Sequence, residues 1–234
     1  MDKIFTAEKF LKKIKDDLLN HELFNDPYIT VINSLDCFEI NKAKKFAELY
    51  YPHILRTRLY QASTLGITPD ENLQFVLAEI LYDEYGNGDN YKSHMELYRK
   101  FMRGLDLTIN STESYQLIPE LKQYINTMEK ITRNGNWVAA IGAVGIASEW
   151  PIPKYYGLLL NGFRKIPGIK EECLELFSGH IELDLEHSTM IEKAILPYLQ
   201  SKENQRIFSE GVMLNMNARR TFHAGLYREI FINT

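Results

Sequence analysis

Cysteine is scarce in this chain, and long apolar runs are missing. The two cysteines, Cys37 and Cys173, are too few for a disulfide framework and do not have the spacing of a metal knuckle. We therefore expect reduced thiols in a cytoplasmic protein. No run of about 18 apolar residues occurs, so no membrane span is expected. The first ten residues alternate charged and apolar side chains, and we expect no signal peptide there.

An excess of positive charge is also lacking. The 27 Lys and Arg residues are outnumbered by 31 Asp and Glu residues, which leaves a net charge of −4. Basic residues occur only in short clusters, so nothing indicates a nucleic-acid partner. Hydrophobic residues make up 45% of the chain and charged residues 25%, which is ordinary for a soluble globular protein. A length of 234 residues suffices for one sizeable domain.

Strand patterns are the third absence. No useful length of sequence alternates apolar and polar residues, whereas apolar residues at helical spacing recur along the whole chain. No repeat, low-complexity segment or linker marks a domain boundary. We predict one all-α domain of about eight to ten helices packed as a bundle. The predicted helices cover residues 7–20, 39–65, 72–85, 94–105, a segment reaching 127, 137–150, 155–163, 170–176, 179–198 and 203–231, with 28–35 either a short helix or irregular.

One predicted helix carries a pattern with chemical meaning. At about 100° per residue, His180, Asp184 and His187 fall within roughly 60° of one another, while Glu182 and Glu186 point away. Imidazole and carboxylate suit iron, manganese or zinc, and this spacing lets one rigid helix supply several ligands. The alternative is a polar, solvated helix face.

A second candidate is Glu149, which ends a stretch from Trp137 that has no other ionisable side chain. A carboxylate buried there without a partner would cost several kcal/mol or stay protonated. A metal ion or Lys154 could be that partner, unless the helix end before Pro151 is exposed. Small residues in the same stretch, such as Gly142 and Gly145, either leave space beside metals or allow close helix packing.

A third candidate pair, Glu84 and His94, flanks the turn Gly86-Asn-Gly88. Alone, the pair would indicate a surface helix end and a capping histidine. Together with the residues above, it completes three carboxylates and three imidazoles from separate helices. Such a set suits two iron ions better than one zinc ion.

The ordered set resembles the haem-oxygenase-like diiron oxidases, also called iron-containing redox enzymes. It reads Asp-Glu-Tyr-Gly-x-Gly…His, then Glu in an apolar helix, then His-x-x-x-Asp-x-x-His, and the resemblance spans Phe46 to the C-terminal helix. It implies a single-domain haem-oxygenase-like bundle with about seven core helices over residues 1–234, with 1–36 as an N-terminal helical extension packed on that core. It also implies two iron ions as the cofactor and O2 as co-substrate. The implied metal ligands are Glu84, His94, Glu149, His180, Asp184 and His187.

One corner of the resemblance departs from the family pattern. Several members take a further carboxylate from the helix that here holds Ala47 to Gln61. By spacing from His94 that position falls near Arg58, which is no ligand, and Glu48 lies almost three turns too early. Whether this helix contributes a ligand therefore stays open.

The resemblance implies an O2-dependent oxidoreductase that acts on a small carboxylate-bearing substrate. We expect an amino acid or a derivative of one, in a biosynthetic pathway. Arg58 and Lys154 are predicted to bind the substrate carboxylate through charge-assisted hydrogen bonds, with Arg58 favoured. Arg56, Arg219 and Arg220 are further candidates for this role.

Several alternatives stay open at this point. A fatty-acid oxidative decarboxylase belongs to the same family, and a metal-free enzyme of the thiaminase or cofactor-forming type has the same architecture. A haem-degrading enzyme would use His21 or His53, and a non-catalytic interaction protein would retain only the fold. An external electron donor and a homodimer are also left open as partners.

Overall fold

The polypeptide is built from helices, as its apolar periodicity predicts. The computed structural model describes residues 2–109, 115 and 117–233, and gives only the backbone of 2–5 and 182–184. The described residues contain no strand, so the all-α prediction is confirmed. In the same part of the chain, no helix combines the length and the apolar character that crossing a membrane requires.

The helices are labelled in chain order. They are α1 (Asp2–Leu19), α2 (Pro27–Ser34), α3 (Ile40–Ile67), α4 (Glu71–Glu84), α5 (His94–Gly104), α6 (Pro119–Asn134), α7 (Trp137–Ala140), α8 (Ala147–Glu149), α9 (Ile152–Phe163), α10 (Glu175–Ile195) and α11 (Lys202–Tyr227). A π-helical segment, Ile141–Ile146, joins α7 to α8, and a second one, Arg228–Ile232, follows α11. Short 3-10 turns occupy Glu22–Asn25, Asn90–Lys92, Glu171–Leu174 and Tyr198–Gln200.

Side-chain caps begin several of these helices. The Asp26 carboxylate accepts a hydrogen bond from the Tyr28 amide at 2.8 Å, and Pro27 follows as the first residue of α2. The Asp70 carboxylate accepts from the Leu73 amide at 2.9 Å at the start of α4. Polar residues that precede apolar periodic stretches therefore mark helix starts in this chain, as capping physics requires.

Several predicted helix boundaries differ from the structure by a few residues, and two further differences affect the path of the chain near Glu149 and Gly179. The stretch predicted as one helix over 137–150 contains the π-helical segment in its middle. The predicted break before Gly179 does not occur, because α10 begins at Glu175 and runs through the glycine. Burial of Phe177 and His180 outweighs the roughly 1 kcal/mol that a glycine costs inside a helix. The cap expected at 110–113 lies outside the described residues.

One hydrophobic core connects the helices from Ala7 in α1 to Ile230. Aromatic rings form much of it: the Phe46 ring stacks on Tyr50 and on Tyr28, with centroid distances of 5.0 and 5.6 Å. Helix α2 packs on α9 and α11, and α1 packs on α11. The N-terminal segment thus shares this core, while its division from the rest at residue 36 stays a prediction.

Glycines let the segment that ends at Glu149 lie very close to its neighbours. A Cβ atom on Gly142 would lie 2.5 Å from the Phe208 carbonyl oxygen of α11, and one on Gly145 would lie 2.8 Å from the Ile191 side chain of α10. On the other side of this contact, a Cβ on Gly211 would overlap the Ala139 carbonyl oxygen. Of the two interpretations of these small residues, close helix packing therefore holds at Gly142 and Gly145.

We expect Gly211→Ala to lower the free energy of unfolding by about 1 to 3 kcal/mol, because the added methyl group forces α11 away from Ala139. Urea denaturation followed by circular dichroism measures this change. The matched control is Gly157→Ala in α9, where no atom lies within 4 Å of the added carbon. We expect that control to stabilise by about 0.5 to 1 kcal/mol. Equal effects of the two substitutions would contradict the close contact.

Candidate metal centre

A tight turn brings the end of α4 to the start of α5. Gly86, Asn87 and Gly88 have φ angles of 81°, 53° and 87°, a left-handed region that glycine enters without strain. The chain reverses there, and the Glu84 Oε2 atom lies 2.8 Å from the His94 Nδ1 atom. The separation of ten residues in sequence thus becomes direct contact.

Helix α10 adds His180 to this pair. Its Nε2 atom lies 3.1 Å from the His94 Nδ1 atom, and its Nδ1–H donates to the Leu176 carbonyl one turn earlier. Burial, followed by the nearby His94, lowers the pKa of His180 to about 3, so the ring is neutral. A neutral imidazole whose other nitrogen donates to a backbone carbonyl is the arrangement found in metal-ligating histidines.

Glu149 and His187 form a second pair beside the first. The Glu149 Oε2 atom lies 3.6 Å from the His187 Nδ1 atom, and the His187 Nε2–H donates to the Asp83 carboxylate at 2.8 Å. Burial by itself would lower the pKa of His187, but Glu149 and Asp83 raise it to about 9. A carboxylate that orients a histidine in this way is another common feature around metal ligands.

Gln61 in α3 links the two pairs. Its Nε2 atom donates to the Glu84 Oε1 and the Glu149 Oε1 atoms, each at 3.3 Å. Because ionised carboxylates can only accept, the amide nitrogen rather than the oxygen must face them. The amide oxygen is buried and has no hydrogen-bond partner. Gln61 lies one turn after Arg58 on α3. This helix therefore contributes a side-chain amide close to the position at which several family members have a further carboxylate.

The cluster holds the Glu84 carboxylate in the charged form. Burial by itself would raise the pKa of Glu84, but His94 and the other imidazoles lower it to about 2. Burial acts to lower the pKa of His94, and Glu84 raises it above the usual value. The anionic oxygens are thus stabilised by positive charge, which a metal cation would supply equally well.

Four of these residues line one cavity of about 60 Å3: Glu84, His94, Glu149 and His180. Glu149, His94 and His180 are each less than 10% exposed. Tyrosine rings make up much of the remaining wall, and the Tyr156 ring lies 5.5 Å from the His180 ring. The cavity has room for a few water molecules or a small ligand.

The donor set fits iron in its chemistry. Carboxylate oxygens and imidazole nitrogens suit this metal, and the hydrogen bonds of His180 and His187 to Leu176 and Asp83 favour ligation. Among the described residues, no three or more His, Cys, Asp or Glu side chains are arranged around a common point for a metal ion. The donor atoms of Glu84 and His180 nevertheless lie 2.8 and 3.1 Å from the His94 Nδ1 atom. Asp184 belongs to α10, but its side chain lies outside the described residues.

The two basic residues predicted to bind substrate lie away from the cavity. Lys154 is exposed, and its ammonium donates to the Leu19 carbonyl at 2.6 Å at the end of α1. Lys154 therefore has no place at this site. Arg58 is half-buried and donates to the Tyr85 hydroxyl and the Leu55 carbonyl. It lines a neighbouring surface groove that shares only Glu84 with the cavity.

Three residues in and around the cavity were missed or given little weight in the sequence analysis. Asp83 was visible as the neighbour of Glu84, but its contact with His187 requires the turn of α4 against α10. Gln61 could have been found one turn from Arg58 on the same helix. Arg219, one of five basic candidates, lines the cavity and is 5% exposed.

The bridging amide allows a direct test of the cluster. We expect Gln61→Glu to lower the stability of the metal-free protein by about 1 to 3 kcal/mol, because it places a third carboxylate beside Glu84 and Glu149. Added Mn(II) should stabilise this variant more than it stabilises the wild type. Thermal unfolding in EDTA and in Mn(II) measures both effects. Gln61→Leu is the control: it removes the donor without adding charge, and should show no extra metal effect. An equal Mn(II) shift in all three proteins would contradict this geometry.

Comparisons with known proteins identify the family of the chain. The model of the iron-containing redox enzyme family matches residues 44–220. The chain is 21% identical over 215 residues to the 4-chloro-allylglycine synthase of Streptantibioticus cattleyicolor. The aligned region covers 90% of this chain and 81% of that protein.

Two solved structures share the fold at low sequence identity. A CADD-like protein of unknown function from Nostoc punctiforme superposes with a TM-score of 0.79 and 13% identity, over 98% of this chain and 97% of that one. A TenA homologue from Pseudomonas syringae superposes with a TM-score of 0.69 and 14% identity, over 95% and 91% of the two chains. These likenesses show that the expected haem-oxygenase-like fold is present. Because its family model matches well over half of the sequence, the chain belongs to the iron-containing redox enzymes.

Proposed function

We propose that this protein is a non-haem diiron oxidoreductase that uses O2 to oxidise a small carboxylate-bearing substrate, an amino acid or a derivative of one. The observation that carries the proposal is the buried contact of Glu84, His94 and His180 beside Glu149 and His187. Family membership supports iron and redox chemistry. The name of the 4-chloro-allylglycine synthase, which denotes an amino-acid product, supports the substrate class.

The residues that would hold the two ions are Glu84, His94, Glu149, His180, Asp184 and His187. Bound iron would supply the O2 activation and the electron transfer that amino-acid side chains cannot perform. The carboxylates of Glu84 and Glu149 already lie on either side of one amide group, which keeps them close without direct contact.

The protein's own contribution is orientation and the exclusion of water. The Leu176 carbonyl fixes the tautomer of His180, and the Asp83 carboxylate fixes the ring of His187. The His187 Nδ1 atom faces Glu149, and His187 would have to be deprotonated at this nitrogen to hold a cation there. The surrounding tyrosine and aliphatic side chains limit the entry of water to the cavity.

The cavity size favours a small substrate. The volume of about 60 Å3 beside the cluster suits a small ligand better than a long alkyl chain or haem. A metal-free enzyme with a cysteine nucleophile is disfavoured for another reason: Cys37 is exposed, Cys173 lies against Gly104, and neither lines this cavity. A protein that only mediates interactions would gain nothing from so many buried ionisable groups.

Iron binding is the decisive measurement. We expect anaerobic titration with Fe(II), followed by metal analysis, to give about two iron ions per chain. His180→Ala and His187→Ala should lower this number, because each removes a nitrogen donor from the cluster. Glu186→Gln is the matched control, since Glu186 lies on the same helix and is exposed. Fewer than one iron per wild-type chain, or full binding by His187→Ala, would sink the proposal.

The Asp83 carboxylate supplies a second test. We expect Asp83→Asn to weaken iron binding by roughly tenfold to a hundredfold, because the charged acceptor that orients His187 is lost. Competition with a chelator measures this affinity. Asp89→Asn, at the same turn but away from His187, should bind iron as the wild type does. If both variants bind equally well, Asp83 does not support a metal ligand.

A further inference from the structure

Arg219 is a buried cation for which the described residues provide no carboxylate partner. It lies on α11, is 5% exposed and lines the same cavity as the proposed metal ligands. Its Nη2 atom lies 3.5 Å from the Ser148 hydroxyl, while its Nε and Nη1 atoms have no hydrogen-bond partner. No described carboxylate forms an ion pair with it, although leaving a charge unpaired in the interior is costly.

The surroundings of Arg219 are neutral. The Tyr124 hydroxyl is a hydrogen-bond partner of the Arg219 side chain, and Tyr50 and Tyr155 also interact with its charge. The guanidinium carbon lies 6.0 Å from the centre of the Tyr155 ring. Burial, and then Arg219 itself, keeps the nearby His53 and His223 uncharged. Phenol and imidazole groups can solvate a guanidinium, but they do not neutralise its charge.

Arg219 and the carboxylate–imidazole cluster lie at different parts of the same cavity wall, so the cavity carries opposite charges at two places. Ser148, which the Arg219 guanidinium contacts, directly precedes Glu149 in the chain. One part of the cavity wall thus presents the carboxylates and imidazoles suited to metal ions, and another presents an unpaired guanidinium. A small anionic molecule bound to the guanidinium would have its other atoms beside the cluster.

We propose that Arg219 binds the carboxylate of the substrate, and that the cavity therefore selects short carboxylates, α-amino acids included. The inference rests on the proposed function, because it takes the carboxylate bound by Arg219 to be the molecule that the enzyme oxidises. A guanidinium holds both oxygens of a carboxylate through Nη2 together with either Nε or Nη1. In Arg219 each of these two pairs includes one nitrogen without a hydrogen-bond partner, and the contact of Nη2 with Ser148 is long, at 3.5 Å. Arg58, which we favoured from the sequence, already donates to Tyr85 and Leu55 outside the cavity.

Binding of butyrate tests the inference, with butyramide as the uncharged probe of the same shape. Isothermal titration on the Mn(II)-loaded protein should show binding of butyrate and much weaker binding of butyramide. Arg219→Met should weaken butyrate binding by roughly tenfold to a hundredfold, and Arg219→Lys, which keeps the charge but loses the fork, by less. Arg220→Met is the matched control: the neighbouring arginine is exposed, pairs with Glu22 and should leave butyrate binding unchanged.

Thermal unfolding separates a binding role from a structural one. Without ligand, Arg219→Met should be at least as stable as the wild type, because it removes an unpaired buried charge. Added butyrate should raise the melting temperature of the wild type but not of this variant. If Arg219→Met fails to fold, Arg219→Lys carries the test, since it retains the charge. Equal butyrate binding by the wild type and both Arg219 variants, no butyrate binding by the wild type, or weakening by Arg58→Gln instead would overturn the inference.

Metal analysis on the same samples keeps the two proposals distinguishable. Arg219→Met should retain the wild-type content of iron, because Arg219 contacts none of the proposed ligands directly. A wild-type protein that binds butyrate through Arg219 but takes up no iron would leave the carboxylate site standing and remove the diiron function. A protein that binds two irons, but binds butyrate equally well with and without the Arg219 side chain, would leave the diiron function standing and remove the carboxylate site.

Discussion

The buried contact between Glu84 and His94 is the interaction on which the rest of this structure depends. A carboxylate that is almost fully removed from water is stable only beside positive charge, and His94 provides it at 2.8 Å. That distance requires the left-handed turn at Gly86, which ends α4 and begins α5 within ten residues. His180 and Gln61 then extend the same hydrogen-bonded cluster to α10 and α3. The helices around the cavity are thereby tied by polar contacts as well as by apolar packing.

Burying so many charged side chains is unfavourable in free energy, and the dense aromatic core of the chain offsets this loss. Stacked rings such as Phe46 and Tyr50 surround it, and glycines let α11 and the segment before Glu149 meet at backbone distance. The π-helical segment Ile141–Ile146 lies in this contact, and the carbonyl of Ala143 accepts from the side chains of Ser148 and Asn215. Irregular helical turns of this kind are frequent at functional sites. The apolar packing of these walls thus offsets the cost of burying the cluster.

Helical periodicity was enough to predict the fold class and most helices, because buried apolar residues recur with the helix period in α3, α4 and α11. It could not show the π-helical segment or the passage of α10 through Gly179, since both depend on packing against other helices. Spacing within one helix indicated that His180 and His187 share a face, and the structure brings both to the cluster. The roles of Gln61, Asp83 and Arg219 depend on contacts between helices distant in sequence. For the same reason, the sequence alone could not show that Arg219 lines the cavity whereas Arg58 lines a neighbouring groove.

The two kinds of buried charge complement each other in a way that explains why both persist. Carboxylates gathered around imidazoles favour cations, and the isolated guanidinium of Arg219 favours an anion. Either group alone would be a liability for stability, and an apolar replacement would remove that cost. Their occurrence in a single cavity of about 60 Å3 places the guanidinium and the proposed metal ligands within reach of one small molecule. Without a metal, the carboxylates of Glu84 and Glu149 repel an anion, so Arg219 is the part of the cavity wall that attracts it. Bound cations would remove that repulsion, whereas the attraction between Arg219 and an anion would remain.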